Sequence, residues 1–398
     1  MNDETFWLDA RKQICMDPAK VNLNAGTLSP TPKPVLKAVT ELRQRMAENP
    51  SDFCWRQLPV LIEHSRRRLS EYLHCDPLNL LLIPNVTFAI NMVVSSLKSD
   101  RGSEILTTDH EYGAMMYAWQ RQADRNGWKI SSLELPHRTE DPNEIVRAFE
   151  RAITPATRAI FFSHVTTITG LRLPVRDLCT LARRRGLLSI VDGAHAPGMV
   201  PVDLSDIGAD FYGANCHKWL MAPAGAGFLH VSPSHKREMS PLITSWGYEY
   251  DREEMDADSH WGGSFWQRDL EFHGTLDRTP QMVLPEALDF RTTLGGDDAI
   301  IKRTRYLSDY ATQRLAACGL ARVTPLNNQL NGGALTAFDF PCQDVLAWRD
   351  WIWNKHHIEC PITTAARKTF LRVSTGWFNT IKEIDRLVEA IRAFQSSG

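Results

Sequence analysis

The sequence predicts an α/β protein with a large domain built on a mostly parallel, seven-stranded sheet between helices, followed by a smaller α+β domain. Three observations carry that expectation. Between about residues 79 and 232, short apolar runs alternate with helical patterns, the order produced by crossover units and a sheet covered on both faces. After about residue 285 the pattern changes to a long helical stretch, weaker strands and a closing amphipathic helix. Finally, 398 residues exceed one ordinary core of roughly 100–200 residues but suit one large and one small domain.

The elements follow in chain order. Pro30, Pro32 and Pro34 stud the first segment; proline fixes φ and lacks an N–H, which argues against regular helix or central strand there. Residues 1–40 are therefore expected to cross the surface between the domains. The large domain is expected over 41–284, with strands at Asn79–Ile83, Glu104–Thr107, Lys129–Leu135, Arg158–His164, Leu187–Asp192, Phe211–Ala214 and Gly227–Val231. Helical periods fall between them at Phe88–Leu97, Ala114–Arg125, Pro142–Ala152 and Val175–Arg185. In the small domain, 285–398, one helix is expected over Pro285–Leu315 and strands around Gly333–Phe340 and Thr369–Val373. The helix Ile381–Phe394 closes the chain.

Composition narrows the function classes. With 43% hydrophobic and 23% charged residues the chain falls in the ordinary range for a soluble globular protein. A formal net charge of −2 and a pI of about 6.7 supply no basic face for a nucleic acid. The arginine runs Arg66-Arg67-Arg68 and Arg183-Arg184-Arg185 lie in mixed-charge helical stretches and read as solvated faces. Eight cysteines are scattered with no C-x-x-C pair; neither a metal site nor a disulfide framework is indicated, and a reducing cytoplasm fits. The N-terminus has no basic and apolar leader pattern, and no apolar run approaches the ~18 residues of a membrane span.

Open α/β sheets bind ligands at the carboxyl ends of their strands. The strand ending near Val191 runs into Asp192-Gly193-Ala194-His195. Such an Asp either caps a turn or meets a ligand's cationic nitrogen. The next strand runs into Asn215-Cys216-His217-Lys218-Trp219. A lone loop lysine is ordinarily solvated, but this one directly follows an apolar strand and is flanked by Trp219, Leu220 and Met221. Desolvation there lowers an amine's pKa, as imine formation requires. An acid and an amine at adjacent strand ends are the pair that pyridoxal 5′-phosphate (PLP) needs, one for its ring nitrogen and one for its aldehyde carbon.

PLP also needs a phosphate site. Pro84-Asn85-Val86-Thr87 joins a strand to a helix whose first amides face an anion, and the Thr87 hydroxyl adds a donor. Alternatively, Asn85 or Thr87 is a simple N-cap. No dinucleotide or P-loop glycine pattern occurs in the required context. His110, in Thr108-Asp109-His110-Glu111-Tyr112, either stacks on a flat ring or is a hydrogen-bonded surface residue. Arg372, in Arg372-Val373-Ser374-Thr375-Gly376, either clamps a carboxylate at two points or is structural.

Together these segments resemble the class-V aminotransferase family of fold-type-I PLP enzymes. The resemblance is carried by Asn22-Leu23-Asn24-Ala25-Gly26, Asp109-His110-Glu111-Tyr112, Ser163-His164-Val165-Thr166-Thr167, Val191-Asp192-Gly193-Ala194-His195, Ala214-Asn215-Cys216-His217-Lys218-Trp219, Gly274-Thr275 and Arg372-Val373-Ser374. They run in order from about residue 20 to 390. The family implies that Lys218 is the Schiff-base lysine and Asp192 the partner of the pyridinium nitrogen. By the same resemblance His195 and Thr167 lie beside the ring hydroxyl, and His110 stacks on the ring. Thr87 with Val86, Asn215 and His217 would contact the phosphate, with Thr275 donated across a homodimer interface. Arg372, with Asn24 nearby, would bind the substrate carboxylate of an amino acid.

PLP joined to an amino acid weakens every bond to Cα, and the protein selects among them. Released Lys218 is the natural base for the Cα proton. Return of that proton to Cα gives epimerisation, its delivery to the cofactor gives transamination, and loss of a β substituent gives a lyase. The overall resemblance is closest to isopenicillin N epimerase and its relatives, so Cα epimerisation is expected. Epimerisation asks for a second acid, for which His110 is the candidate. A C–S or other β-elimination lyase is the rival, followed by an aminotransferase and, remotely, a PLP-binding protein without turnover. A desulfurase would need a nucleophilic cysteine upstream of Arg372; the nearest, Cys360, lies two positions beyond the family's place for it, where Ile358 stands.

Overall fold

The computed structural model describes residues 4–396 apart from 137, 249, 366 and 367. Its strands are β1 (Val21–Asn22), β2 (Leu80–Ile83), β3 (Glu104–Thr108), β4 (Lys129–Leu133), β5 (Thr157–Ser163), β6 (Leu188–Asp192), β7 (Phe211–Asn215), β8 (Gly227–Val231), β9 (Leu335–Asp339), β10 (Ile358–Glu359), β11 (Ile362–Ala365) and β12 (Lys368–Ser374). Seven of them form one sheet in the order β2-β8-β7-β6-β5-β3-β4. Neighbours from β7 to β4 are parallel, and β8 and β2 pair antiparallel at one edge.

The central strands are apolar almost throughout because both faces of the sheet are covered. Side chains alternate between two cores, as the period of two dictates. Leu106, Ile160, Phe162, Val191 and Tyr212 enter one, with the helices Pro142–Ala152 and Val175–Arg184. Ile105, Phe161, Ile190 and Phe211 enter the other, with the helices Val86–Ser96 and Gly113–Asn126. All seven expected strands are present, with ends shifted by no more than two residues. Among the described residues no helix is long and apolar enough to cross a membrane.

A second sheet, β11-β12-β9, is antiparallel. It packs with the helices Gly296–Ala316, Val345–His356 and Ile381–Ser396 around Leu307, Phe338, Trp348, Leu371 and Leu387. The N-terminal segment enters both cores: β1 pairs parallel with β10 and buries Val21 and Leu23 here, while Val35 and Val39 pack under the large sheet.

Three expectations need correction. Arg66, expected on a solvated helix face, is buried and paired with Glu271. The proline-studded segment does contain regular helix, over Lys33–Glu48, with Pro32 as N-cap and Pro34 in the first turn. Proline is tolerated there because the amide it lacks has no helical acceptor. The helix expected over Pro285–Leu315 is two, Leu284–Thr293 and Gly296–Ala316. Gly295 and Gly296 have φ of 91° and 78°, in the left-handed region that ends helices.

Gly170, in the loop after β5, shows how closely that loop approaches the second sheet. It has φ +68°, and a Cβ there would lie 2.2 Å from the carbonyl oxygen of Leu335, the first residue of β9. Substituting Gly170→Ala is expected to destabilise the fold by about 2–4 kcal/mol, combining overpacking with a left-handed alanine. A thermal-unfolding midpoint within error of the wild type would contradict this.

Candidate active site

The loops leaving the carboxyl ends of β3, β5, β6 and β7 converge with the N-terminal segment and β12. Asp192 is the last residue of β6, in register with Ser163 on β5 and Gly213 on β7. It is buried, and its Oδ1 accepts a hydrogen bond from the Ala194 amide at 2.9 Å. Burial raises its pKa, opposed by that amide and by the charge of Lys218. Gly193 follows because a Cβ there would meet the Tyr212 ring at 2.3 Å.

Lys218 lies just beyond β7 on a half-buried stretch. Desolvation of its ammonium dominates and lowers its pKa to about 8; Asp192 raises it and Arg372 lowers it further. The Nζ lies 3.2 Å from His195 Nε2. His195 Nε2 lies 3.2 Å from Thr167 Oγ1, and its Nδ1 accepts from Trp219 Nε1 at 3.4 Å. An indole N–H only donates, so the neutral imidazole carries its proton on Nε2, facing the lysine and the threonine. Burial, then Lys218 and Arg372, hold His195 far below the usual histidine range. A neutral Lys218 amine can accept from that Nε2–H.

Arg372 continues the run. Its Nη1 donates to Thr167 O and Oγ1, both at 3.0 Å, and its Nη2 donates to Asn24 Oδ1 at 2.6 Å. Asn24 Nδ2 donates to Glu359 Oε1 at 3.1 Å, which fixes the orientation of the amide. Arg372 is buried, its Nε has no hydrogen-bond partner among the described residues, and burial lowers its pKa to about 10. Lys218, His195, Thr167, Arg372 and Asn24 thus stand in one hydrogen-bonded line. Glu359 and the Trp219 indole are additions that no local pattern announced.

At the start of the helix Val86–Ser96, Asn85 caps the Phe88 amide at 3.0 Å. The Val86 amide donates to Asn215 Oδ1 at 2.9 Å, so these two residues hold each other and leave the Asn215 amide nitrogen as a donor. Thr87 is exposed in the first turn. His217 Nδ1 is buried without a partner among the described residues, and burial, then Lys218, lower its pKa to about 4.

His110 is buried beyond β3, and its Nδ1 lies 2.8 Å from Asp109 Oδ1. Burial pushes the Asp109 carboxyl up, but the His110 ring and the Leu135 amide outweigh it and hold the pKa low. Thr275 is exposed and lines a cleft with Trp55, Trp261 and Arg268, whose wall also includes Pro84 beside Asn85. The aromatic stretch Trp246–Trp266 also divides: Trp246 and Tyr248 are exposed, whereas Trp266 is core.

Cys360 is buried, and its thiol lies 3.6 Å from the Arg372 carbonyl oxygen. Burial pushes its pKa far up, so it is neither an exposed nucleophile nor a ready thiolate. The groups present fit PLP. Lys218, Asp192 and Arg372 are charged groups with no ion pair among the described residues, and an amine of lowered pKa lies near a buried carboxylate.

The family model for aminotransferase class-V matches residues 21–387. The chain is 42% identical over 394 residues to the isopenicillin N epimerase of Amycolatopsis lactamdurans, covering 98% of each chain. It is 40% identical over 390 residues to that of Streptomyces clavuligerus, covering 97% of this chain and 98% of the other. Among solved structures, a C-DES mutant with glycine covalently linked to its PLP cofactor superposes with a TM-score of 0.83 at 22% identity. That match covers 96% of this chain and 98% of the other and shows a common fold.

Proposed function

From the premise that the chain belongs to the aminotransferase class-V family and is a PLP-dependent enzyme, we propose that it epimerises the Cα of an amino-acid substrate. The observation that carries this reading is the line from Lys218 through His195 and Thr167 to Arg372 and Asn24. It links an amine of lowered pKa through side chains to a guanidinium with no ion pair among the described residues. Similarity to the two epimerases over almost the whole chain supports the choice of reaction.

Bound PLP supplies an electron sink that weakens the bonds to Cα. Lys218 would hold the cofactor and, once released, would take the Cα proton at Nζ on one face. Asp192 would keep the ring nitrogen protonated, and His195 with Thr167 would meet the ring oxygen. His110, its ring oriented by Asp109, would cover the ring face and, as the second acid, would deliver a proton to Cα from the other face. Thr87 and Val86 at a helix start, with Asn215 and His217, would hold the phosphate. Thr275, exposed in its own chain, would complete that site in a second copy, making the enzyme a homodimer. Arg372 and Asn24 bind the substrate carboxylate and fix which Cα bond is aligned.

We assign residues 1–40 to a segment crossing to the small domain, 41–284 to the cofactor domain and 285–398 to the small domain. Eight unpaired cysteines support a reducing, cytoplasmic setting.

The deciding experiment incubates the PLP-loaded enzyme with a panel of L-amino acids and peptides bearing a free α-amino acid head in heavy water. Deuterium at Cα together with inversion is expected. Pyruvate with ammonia or sulfide instead would establish a lyase, and build-up of the aminated cofactor an aminotransferase. Cys360→Ser is expected to leave turnover within about twofold, because the buried thiol takes no part; loss of sulfur transfer in this variant would reverse that conclusion.

A further inference from the structure

Glu111 stands in the loop after β3, and none of the roles above uses it. Its side chain is buried. Oε1 accepts from Thr108 Oγ1 at 2.6 Å and Oε2 from Ser163 Oγ at 2.5 Å. Ser163 ends β5 in register with Asp192 on β6, so a single residue links the two acids. The groups acting most strongly on Glu111 are the two hydroxyls and the Asp192 carboxylate, with no cation among them. On its own loop, Asp109 and His110 are bonded to each other. Beyond Ser163, His164 is bonded to the Tyr212 hydroxyl and held neutral by burial, its pKa lowered to about 3. A buried carboxylate without a cation is costly and tends to neutralise, more so beside a second carboxylate.

We infer that Glu111 is a positioning residue whose ionisation, coupled to Asp192 across Ser163, sets how strongly the site favours a protonated ring nitrogen. The inference rests on the assignment of Asp192 to that nitrogen. Burial raises the Glu111 pKa to about 7, with Ser163 and Thr108 opposing and Asp192 reinforcing. In the apoenzyme the Asp192 charge favours neutral Glu111. A cationic ring nitrogen at Asp192 cancels that charge and lets Glu111 ionise. Cofactor binding then releases a proton from Glu111, and affinity rises with pH up to about 7, by at most about tenfold per pH unit.

Two measurements test this. In infrared spectra of the apoenzyme, a carboxylic-acid band titrating near neutrality is expected; it should be absent from Glu111→Gln and moved to lower pH by Asp192→Asn. In equilibrium PLP binding between about pH 6 and pH 8, the wild type should gain affinity with pH relative to Glu111→Gln. Identical pH profiles in the two proteins, or a band unmoved by Asp192→Asn, would overturn the inference. Should Glu111→Gln fail to fold, Ser163→Ala takes its place: losing that donor moves the band to higher pH, and an unmoved band refutes the coupling. If the wild type takes up no PLP at all, the cofactor assignment falls and this inference with it, even where the band titrates.

Discussion

Lys218→Ala is expected to lower Cα–H exchange by roughly 10³–10⁴-fold or more, the upper range for a positioned acid–base group combined with loss of cofactor attachment. Borohydride reduction should fix PLP to Lys218 Nζ in the wild type and leave none bound covalently in the variant. The variant keeps Asp192, Asn215 and His217, so PLP should still bind but wash out on gel filtration. The amine's pKa of about 8 adds a pH test with a defined sign. The neutral amine attacks the aldehyde; at pH 7 about one molecule in ten carries it, against roughly one in three thousand for a lysine at its ordinary 10.5. The rate of covalent capture by the apoenzyme should therefore rise with pH and level off above about 8. A rate still climbing steeply at pH 10 would mean that Lys218 is an ordinary solvated lysine. Covalent PLP in Lys218→Ala would remove Lys218 from its assigned role.

Arg372→Ala is expected to act on the substrate carboxylate rather than on the cofactor. Truncating one partner of a buried charge pair costs about 2–5 kcal/mol, which is roughly thirty- to several-thousand-fold in kcat/KM. Most of the loss should appear in KM, with the PLP spectrum preserved. Arg372→Lys should not rescue it. The planar guanidinium spans Thr167 and Asn24 from two nitrogens, and an ammonium on a flexible stem does not reproduce that fork. An amino-acid amide separates the explanations: without a carboxylate, wild type and variant should process it at similar, low rates. An equal loss on the amide would make Arg372 a packing residue only.

Much of this was legible along the chain. Lys218 and Asp192 follow apolar runs that were bound to be central strands, because a strand buried on both faces must be apolar throughout. The helix start at Asn85 was marked by a capping residue before an apolar period, and the N-cap bond to the Phe88 amide is there. The ends of elements were less legible. Pro34 looked like a helix breaker until its place in a first turn removed the conflict, and the Gly295-Gly296 pair interrupted a period that otherwise ran on.

By itself the sequence determined the alternation of strands and helices, the acid and the amine at adjacent strand ends, and the order of the family's motifs. Those features are local, resting on backbone periods of two and 3.6 residues and on side chains fixed to strand ends. Only the tertiary structure decided which distant groups meet. Arg372 reaches Thr167 and Asn24 across 205 and 348 residues of chain. Cys360 is silenced by burial, and Glu111 becomes a buried acid facing Asp192. Desolvation and charge coupling depend on what packs around a group from elsewhere in the fold, and no local pattern encodes that. The same packing turned Lys218 from one loop lysine among many into an amine of lowered pKa.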